Sequence, residues 1–317
     1  MAGYNQAIAR TSTNGDPLVP DPVVADVIKQ LPQASAVLSV ARRVPMSAKT
    51  NRQPVLSALP EAYFVNGDTG RKQTDKVVWD NVSLVAEEMA VIVPVPEAYL
   101  DDSAIPIWSE VQPLITEAFG RKIDRAALFG IDKPATWGDA VVVGAAAAGN
   151  IVLEGTGDDL AEEVAQLGQE LDEDGFETTG FVSSAGLRWR LRRLRDNDGS
   201  PIYSHPADGG PATLYGLPLG ESRNGGFDPE VATVIAGDWS KAIVGIRQDI
   251  TFKVFTEGVI SDDAGQVVLN LMQQDSVALR AVMRVAWAVA NPVTPLNDDD
   301  DSRFPFAALV PASSQYS

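Results

Sequence analysis

Between Arg42 and Pro96 the chain carries β-type patterning on both sides of a polar, glycine-bearing tip, and this segment limits the possible folds more than any other. The tip, Asn66-Gly67-Asp68-Thr69-Gly70-Arg71-Lys72, needs positive φ angles that Gly and Asn adopt at little cost. Beyond it, Val77, Trp79, Val82, Leu84 and Ala86 alternate in part, and the pattern runs on through Met89-Ala90-Val91-Ile92-Val93. The segment reads as a long, protruding two-stranded hairpin. A lone hairpin is marginal in water, so it needs a partner surface or a neighbouring copy to rest on.

Ahead of the hairpin, residues 1–22 mix Ser, Thr, Asn, Gly and Pro, with Asp16-Pro17, Val19-Pro20 and Asp21-Pro22, and read as an extended arm. A short helical pattern follows, with Val23, Val24, Val27, Ile28 and Leu31 on one side and Pro32 as its stop. Behind the hairpin, apolar residues from Ile107 to Phe129 recur at three- and four-residue steps and predict a rod of about 35 Å. Pro113 predicts a kink or a late start in it.

The glycine- and alanine-rich stretch 131–157 reads as strands and turns leading into a second domain. Asp159 followed by Glu162 has the form of a capping box, with Leu160, Val164, Leu167 and Leu171 at helical spacing behind it. Gly180-Phe181-Val182 reads as a strand, followed by a helix begun by Ser183 or Ser184 and running to Arg195. Glycine-rich turns at 208–210 and 224–226 flank Tyr215 to Leu219. Val231–Ile235, Ala242–Ile246 and Ile250–Phe255 read as strands, and Val267–Ala290 as the last structured region before Asn291-Pro292. The absence of an internal repeat excludes propellers and solenoids.

Composition removes most chemistry. With no cysteine in 317 residues there is no disulfide, thiolate nucleophile or Cys-ligated metal. The only histidine, His205, lies in a Pro/Ser/Gly-rich loop, and no Gly-x-Ser-x-Gly elbow accompanies it, so it reads as a surface residue and not a catalytic one. Asp196-Asn197-Asp198-Gly199 resembles half a calcium loop but lacks the closing Glu, and reads as a turn. Gly155-Thr156-Gly157 lacks the third glycine of a dinucleotide fingerprint. Asp298–Asp301 reads as a solvated run, with binding of a cation or a basic partner as the alternative. No catalytic, cofactor or metal site is therefore assigned.

A formal net charge of -18 argues against a chain whose main task is gripping phosphates. An acidic wall around dense DNA is a different matter, since it lets the polymer slide. One cluster runs against the trend: Arg188, Arg190, Arg192, Arg193 and Arg195, with Trp189 among them. Salt bridges to the acidic helix 158–174 of the same or a neighbouring subunit are favoured for it over contact with nucleic acid. Met1–Gly15 has no signal-peptide core, and the longest small-and-apolar run, Ala140–Ala148, is far short of a bilayer span, so a soluble, cytoplasmic product is expected.

Four segments carry a resemblance. Val82–Ser103 runs from an apolar strand through Glu97-Ala98-Tyr99-Leu100 to Asp101-Asp102-Ser103, and a long helix ends in Asp124-Arg125-Ala126-Ala127-Leu128-Phe129-Gly130. Ala236-Gly237-Asp238-Trp239-Ser240 and Gln274–Ala281 follow later. In order and spacing the chain resembles the major capsid proteins of tailed bacteriophages, with the Hong Kong 97-like (HK97-like) fold, over about residues 20–295.

The resemblance implies an α+β chain: an N-terminal arm (1–40), an extended β-hairpin or E-loop (41–96) and a peripheral domain with a long spine helix (97–154). An axial α/β domain (155–237), a return to the peripheral domain (238–296) and a C-terminal tail (297–317) would follow. It further implies a non-enzymatic shell protein of the virion, assembled in the host cytoplasm into hexamers and pentamers around double-stranded DNA that it contacts non-specifically. Its partners would be copies of itself, scaffolding, portal and possible decoration proteins, and no membrane. Some relatives weld subunits through a Lys–Asn isopeptide bond. Lys72 and Lys76 lie in the right loop, but no motif marks an Asn partner, and that chemistry is not assigned. Two other readings stand beside the shell: an encapsulin-like nanocompartment, and a carboxylate-dependent hydrolase built on Asp172, Glu173 and Asp174.

Overall fold

A computed structural model describes residues 35–60, 62, 64, 72, 74–103, 106–157, 159–194, 213–262 and 264–316. In chain order the elements are α1 (Ala36–Val40), β1 (Arg42–Pro45), β2 (Thr50–Ala58), β3 (Val78–Val85), β4 (Glu87–Pro96), α2 (Glu97–Asp102), α3 (Ile107–Phe129) and α4 (Val141–Ala148). There follow β5 (Ile151–Leu153), α5 (Leu160–Glu173), β6 (Gly180–Ser184), α6 (Leu187–Arg192), β7 (Thr213–Leu214), β8 (Leu217–Ser222) and β9 (Val234–Gly237). The chain closes with β10 (Ala242–Phe255), β11 (Val259–Ser261), β12 (Val267–Asn270), β13 (Ser276–Val289) and β14 (Phe306–Val310). The expected arm, the helix at Val23–Leu31, most of the hairpin tip, Arg195, Asp196–Gly199, His205 and the 208–210 turn lie outside the described residues.

Two sheets organise the body. One has four strands in the order β1-β10-β13-β4, with β10 and β4 both antiparallel to the long β13. The central β13 is buried along most of its length, on both faces, which suits its near-continuous apolar sequence. The other sheet has six strands in the order β5-β14-β9-β6-β8-β7. On one of its faces Val182, Ile235, Ala308 and Val310 join a core with α1, the end of α3 and α4. On the other, Phe181, Val234, Ala307 and Leu309 meet Leu160, Val164, Leu167 and Leu171 of α5 and Leu187 and Leu191 of α6. The period-two alternation of each strand is what lets a single sheet serve two cores.

The helix α3 spans the predicted residues, Ile107–Phe129, and Pro113 does not delay its start. Its last turn, Ala126–Phe129, is buried on every side, and Gly130, at φ 74°, ends it in the left-handed conformation that glycine adopts without a Cβ clash. Asp159 caps α5 by accepting from the Ala161 and Glu162 backbone N–H groups. Glu163, and not the Glu162 of the expected box, is the buried carboxylate that folds back, reaching the Gly155 N–H at 2.5 Å.

Several expectations are corrected. The hairpin is confined to β2 and β3, from Thr50 to Val85, whereas β4 leaves it after Ala86 and pairs with β13 inside the body. Strand-type residues continue across Ala86 without a turn signal, so it is the competing partner strand that separates β3 from β4. Val141–Ala148 is a helix and not a strand, because four alanines in a buried setting favour the helix more than the preceding valines oppose it. Ser183 and Ser184 finish β6, and the helix after it starts only at Leu187. Ala242–Phe255 is one strand with register irregularities between Ile246 and Thr251, not two strands.

The largest correction concerns the C-terminus, which is no tail. Residues Phe306–Val310 are all buried as β14, paired on one side with β5 and on the other with β9. Asp298–Asp301 leads into this strand in a turn that closes on Arg303, whose side chain is buried and donates to Asn291 Oδ1, the Asn297 carbonyl and Asp300 Oδ1. The basic partner of the acidic run is thus in the same chain.

Truncation after Ser302 removes the buried side chains of Phe304, Phe306, Leu309 and Val310. At about 1.5–3 kcal/mol each this approaches the whole net stability of a domain, about 5–15 kcal/mol. The truncated chain is expected to be insoluble or to lack a cooperative thermal transition by circular dichroism; a truncated protein melting like the full chain would refute the central role of β14.

Candidate intersubunit surface

The site begins at a buried carboxylate. Asp124 sits in the last turns of α3, fully enclosed, and accepts from four donors on two distant segments. Ser35 Oγ donates to Oδ1 at 2.5 Å, the Val37 N–H to Oδ1 at 3.0 Å and the Ala36 N–H to Oδ2 at 3.1 Å. Asn224 Nδ2 donates to Oδ2 at 2.7 Å. One side chain therefore caps α1, fixes the loop after β8 and anchors both to the long helix. Gly226 makes the approach possible, since a Cβ there would stand 2.7 Å from the Asp124 Cβ. Burial pushes the Asp124 carboxyl above the usual carboxylate range, against the pull of its Ser35, Asn224, Val37 and Ala36 bonds.

This joint sets where the preceding chain enters the body and where the hairpin leaves it. After α1 and β1, Met46 packs under Leu84 and Ala86 against Ile243, Ala286 and Ala288, with Val55 and Val82 alongside. The Ala86 N–H donates to the Lys49 carbonyl at 2.8 Å and clamps the hairpin's base. Of the residues in β2 and β3 only Leu84 is buried. Further out, Leu59, Phe64, Val77, Val78 and Trp79 are exposed, Trp79 to 64%. The base belongs to the subunit and the distal half has no cover from it.

A second exposed apolar element escaped the sequence reading. The β11–β12 hairpin, turned at Asp262 and Gly265, presents Val259, Val267, Val268 and Met272 to solvent. The signal was available in the Asp-x-x-Gly turn between two β-branched runs, but the short strands had merged with the longer pattern that follows.

The residues singled out for chemistry do not converge. Asp174 is buried and structural: it accepts from Asn150 Nδ2, the Phe304 N–H and Asn297 Nδ2. Asp172 and Glu173 are exposed on α5. Glu163 takes both the Gly155 and the Gly157 N–H, so a carboxylate already occupies the place a phosphate would need. No group of three His, Cys, Asp or Glu with metal-binding geometry occurs among the described residues, and no described helix is long and apolar enough to cross a membrane.

The arginine cluster pairs differently from expectation. Arg190 bonds Glu154, and Arg188 lies 3.4 Å from Glu221, so within the subunit neither uses the acidic helix 158–174. The Arg188 and Arg192 guanidinium groups both lie over the Trp189 indole, 5.8 and 5.2 Å from its ring centroid. Lys72 and Lys76 are exposed.

Replacing Asp124 by Asn puts an amide N–H₂ against two of the four donors. Asp124→Asn is expected to lower stability by about 1–3 kcal/mol in urea unfolding. Because the folded-state pKa of Asp124 is raised above 3.8, the native protein holds this proton more tightly, and the carboxyl's contribution declines as pH rises through the raised value. The gap between wild type and Asp124→Asn is therefore expected to be widest at acid pH and to narrow upward; a gap widening with pH would contradict the assignment.

Comparison with known proteins places this geometry. The model of the phage capsid family matches residues 15–294. The chain is 27% identical over 292 residues to the major capsid protein of Staphylococcus phage 80alpha, covering 91% of this chain and 83% of that one. Solved structures from Microbacterium phage Oxtober96 (41% identity, TM-score 0.83, 93% of this chain and 96% of that one) share the fold. The same holds for Mycobacterium phage Adephagia (33% identity, TM-score 0.82, 93% and 95%). These matches confirm the expected α+β, HK97-like architecture, in a family of structural virion proteins and not of enzymes. The chain belongs to the phage capsid family.

Proposed function

We propose that this chain is the major shell subunit of its phage, assembling in the host cytoplasm into hexamers and pentamers of an icosahedral capsid that encloses double-stranded DNA. The observation that carries this reading is the distal half of the β2–β3 hairpin, which exposes Trp79, Val77 and Val78 on a two-stranded ribbon with no cover of its own. Such a ribbon is marginal alone and gains stability by lying across another copy. The exposed valines and Met272 of β11–β12 support a second intersubunit contact, and head-to-tail use of unlike patches closes rings.

In this reading β2–β3 acts as the E-loop, the four-stranded sheet with α3 forms the peripheral domain, and the six-stranded sheet with α5 and α6 forms the axial domain. The net charge of -18 supports loose, non-specific contact with the packaged DNA. Scaffolding and portal proteins, and in some particles a decoration protein, complete the set of partners.

Electron microscopy of the protein expressed with its phage assembly genes tests the reading. Closed shells containing DNA are expected; persistent monomers under all scaffold and salt conditions, or shells filled with a protein cargo in place of DNA, would overturn it. Trp79→Asp should leave the monomer's stability within about 0.5 kcal/mol, as surface changes do. It should also abolish shells, and normal shells from this variant would remove the hairpin from the interface.

A further inference from the structure

The axial domain carries two unlike features that fit each other and not their own subunit. The first is a ridge on α6. Trp189 is 58% exposed, with the Arg188 and Arg192 guanidinium groups 5.8 and 5.2 Å from its ring centroid, and Arg193 beside it is exposed and in no ion pair among the described residues. A large indole left in solvent beside two guanidinium groups keeps its apolar area uncovered within the subunit, which is the profile of an interface anchor.

The second is a groove of about 790 Å³ along α5, floored by Val164, Ala165, Gly168 and Phe181 and closed by Tyr215 and Leu217. A Cβ added at Gly168 would meet nothing within 4 Å, so the groove is open at its centre. Thr178 Oγ1 in its wall is buried without a hydrogen-bond partner. Asp172 and Glu173 form its rim; Glu173 accepts from Gln169 Nε2, and neither carboxylate is in an ion pair among the described residues.

The ridge is basic and aromatic, whereas the groove is apolar with an acidic edge. The two are separate patches on one layer: α6 follows β6 and sinks Leu187 and Leu191 into the core it shares with α5, while Trp189 on it stays exposed and does not line the groove. A subunit with two unlike, complementary patches meets the requirement for a head-to-tail ring.

We infer that the α6 ridge of one subunit seats in the α5 groove of the next, with Trp189 entering over Gly168 between Ala165 and Leu217 and Arg193 facing Asp172 and Glu173. This rests on the shell reading above and names the contact that joins axial domains within a ring. The occupant is a second copy of the chain because the groove's acidic rim repels DNA and matches the one concentrated basic patch on a chain of net charge -18.

The absence of cysteine gives a clean experiment, since any thiol introduced is the only one present. Full-length protein carrying Arg193→Cys and Glu173→Cys is assembled and treated with a bismaleimide. A ladder of covalent oligomers is expected; intact rings that yield only monomers on a denaturing gel would overturn the inference. Gly168→Leu fills the groove at a helix position with room for a side chain, and should keep or raise monomer melting temperature while cutting ring formation by roughly tenfold or more, as should Trp189→Ala.

Arg193→Glu should fail in the same way and recover when combined with Asp172→Arg and Glu173→Arg. If wild-type protein assembles and all these variants assemble equally well, the ridge-and-groove contact is wrong and the shell reading stands. If Arg193→Glu shells form normally but lose DNA, the patch belongs to nucleic acid and the inference is likewise overturned. If wild-type protein itself never assembles, the shell reading is what fails.

Discussion

The buried carboxylate of Asp124 is the joint on which the rest of the subunit's geometry depends. A carboxylate taken out of water is costly unless donors surround it, and here the donors come from the start of α1 and from the loop after β8. Because neither segment can shift without stripping a bond from an enclosed acid, the entry of the chain, the long helix and the six-stranded sheet are locked in one relative position. The specificity of this arrangement is geometric as much as energetic. A pair of apolar side chains in its place would tolerate sliding, whereas four directed hydrogen bonds do not.

From that rigid body the unsupported elements project. The base of the β2–β3 hairpin is continuous with the core through Leu84 and Met46, so its root is fixed, while Trp79 and its neighbours remain in water. The β11–β12 hairpin and the Trp189 ridge follow the same plan: an ordered root in the body and an apolar tip outside it. A monomer designed to stay alone would not leave several large side chains exposed on separate protrusions, since each invites association. In a family of shell proteins these are the places where association is wanted.

Much of the architecture was legible in residue order. The helix α3 showed its full length through three- and four-residue apolar spacing, and Asp159 marked the start of α5 through local capping chemistry. Both signals are local, and local signals survive in a bare sequence. The readings that failed depended on distant partners. Nothing near Ala86 says that the alternation on either side of it belongs to two different sheets, because a strand's choice between β2 and β13 is made by long-range pairing. The alanine run at 141–148 has the composition of either element until burial against Phe304 and its neighbours decides.

The candidate surface divides in the same way. That no cysteine is available as nucleophile or metal ligand, and that no phosphate loop of recognised form is written in the chain, followed from residue types alone, and so did the expectation that its hairpin would need another copy. The sequence by itself determined the long helix α3, the capped start of α5, the excess of acid and the polar tip, since these arise from propensity, charge and turn chemistry over a few residues. Only the tertiary structure decided that the last residues form a central strand, that Asp124 is a joint, and that Trp189 and the α5 groove stand apart on one domain. Those outcomes depend on which distant groups share a buried space, and such proximity is set by the packing of the whole chain.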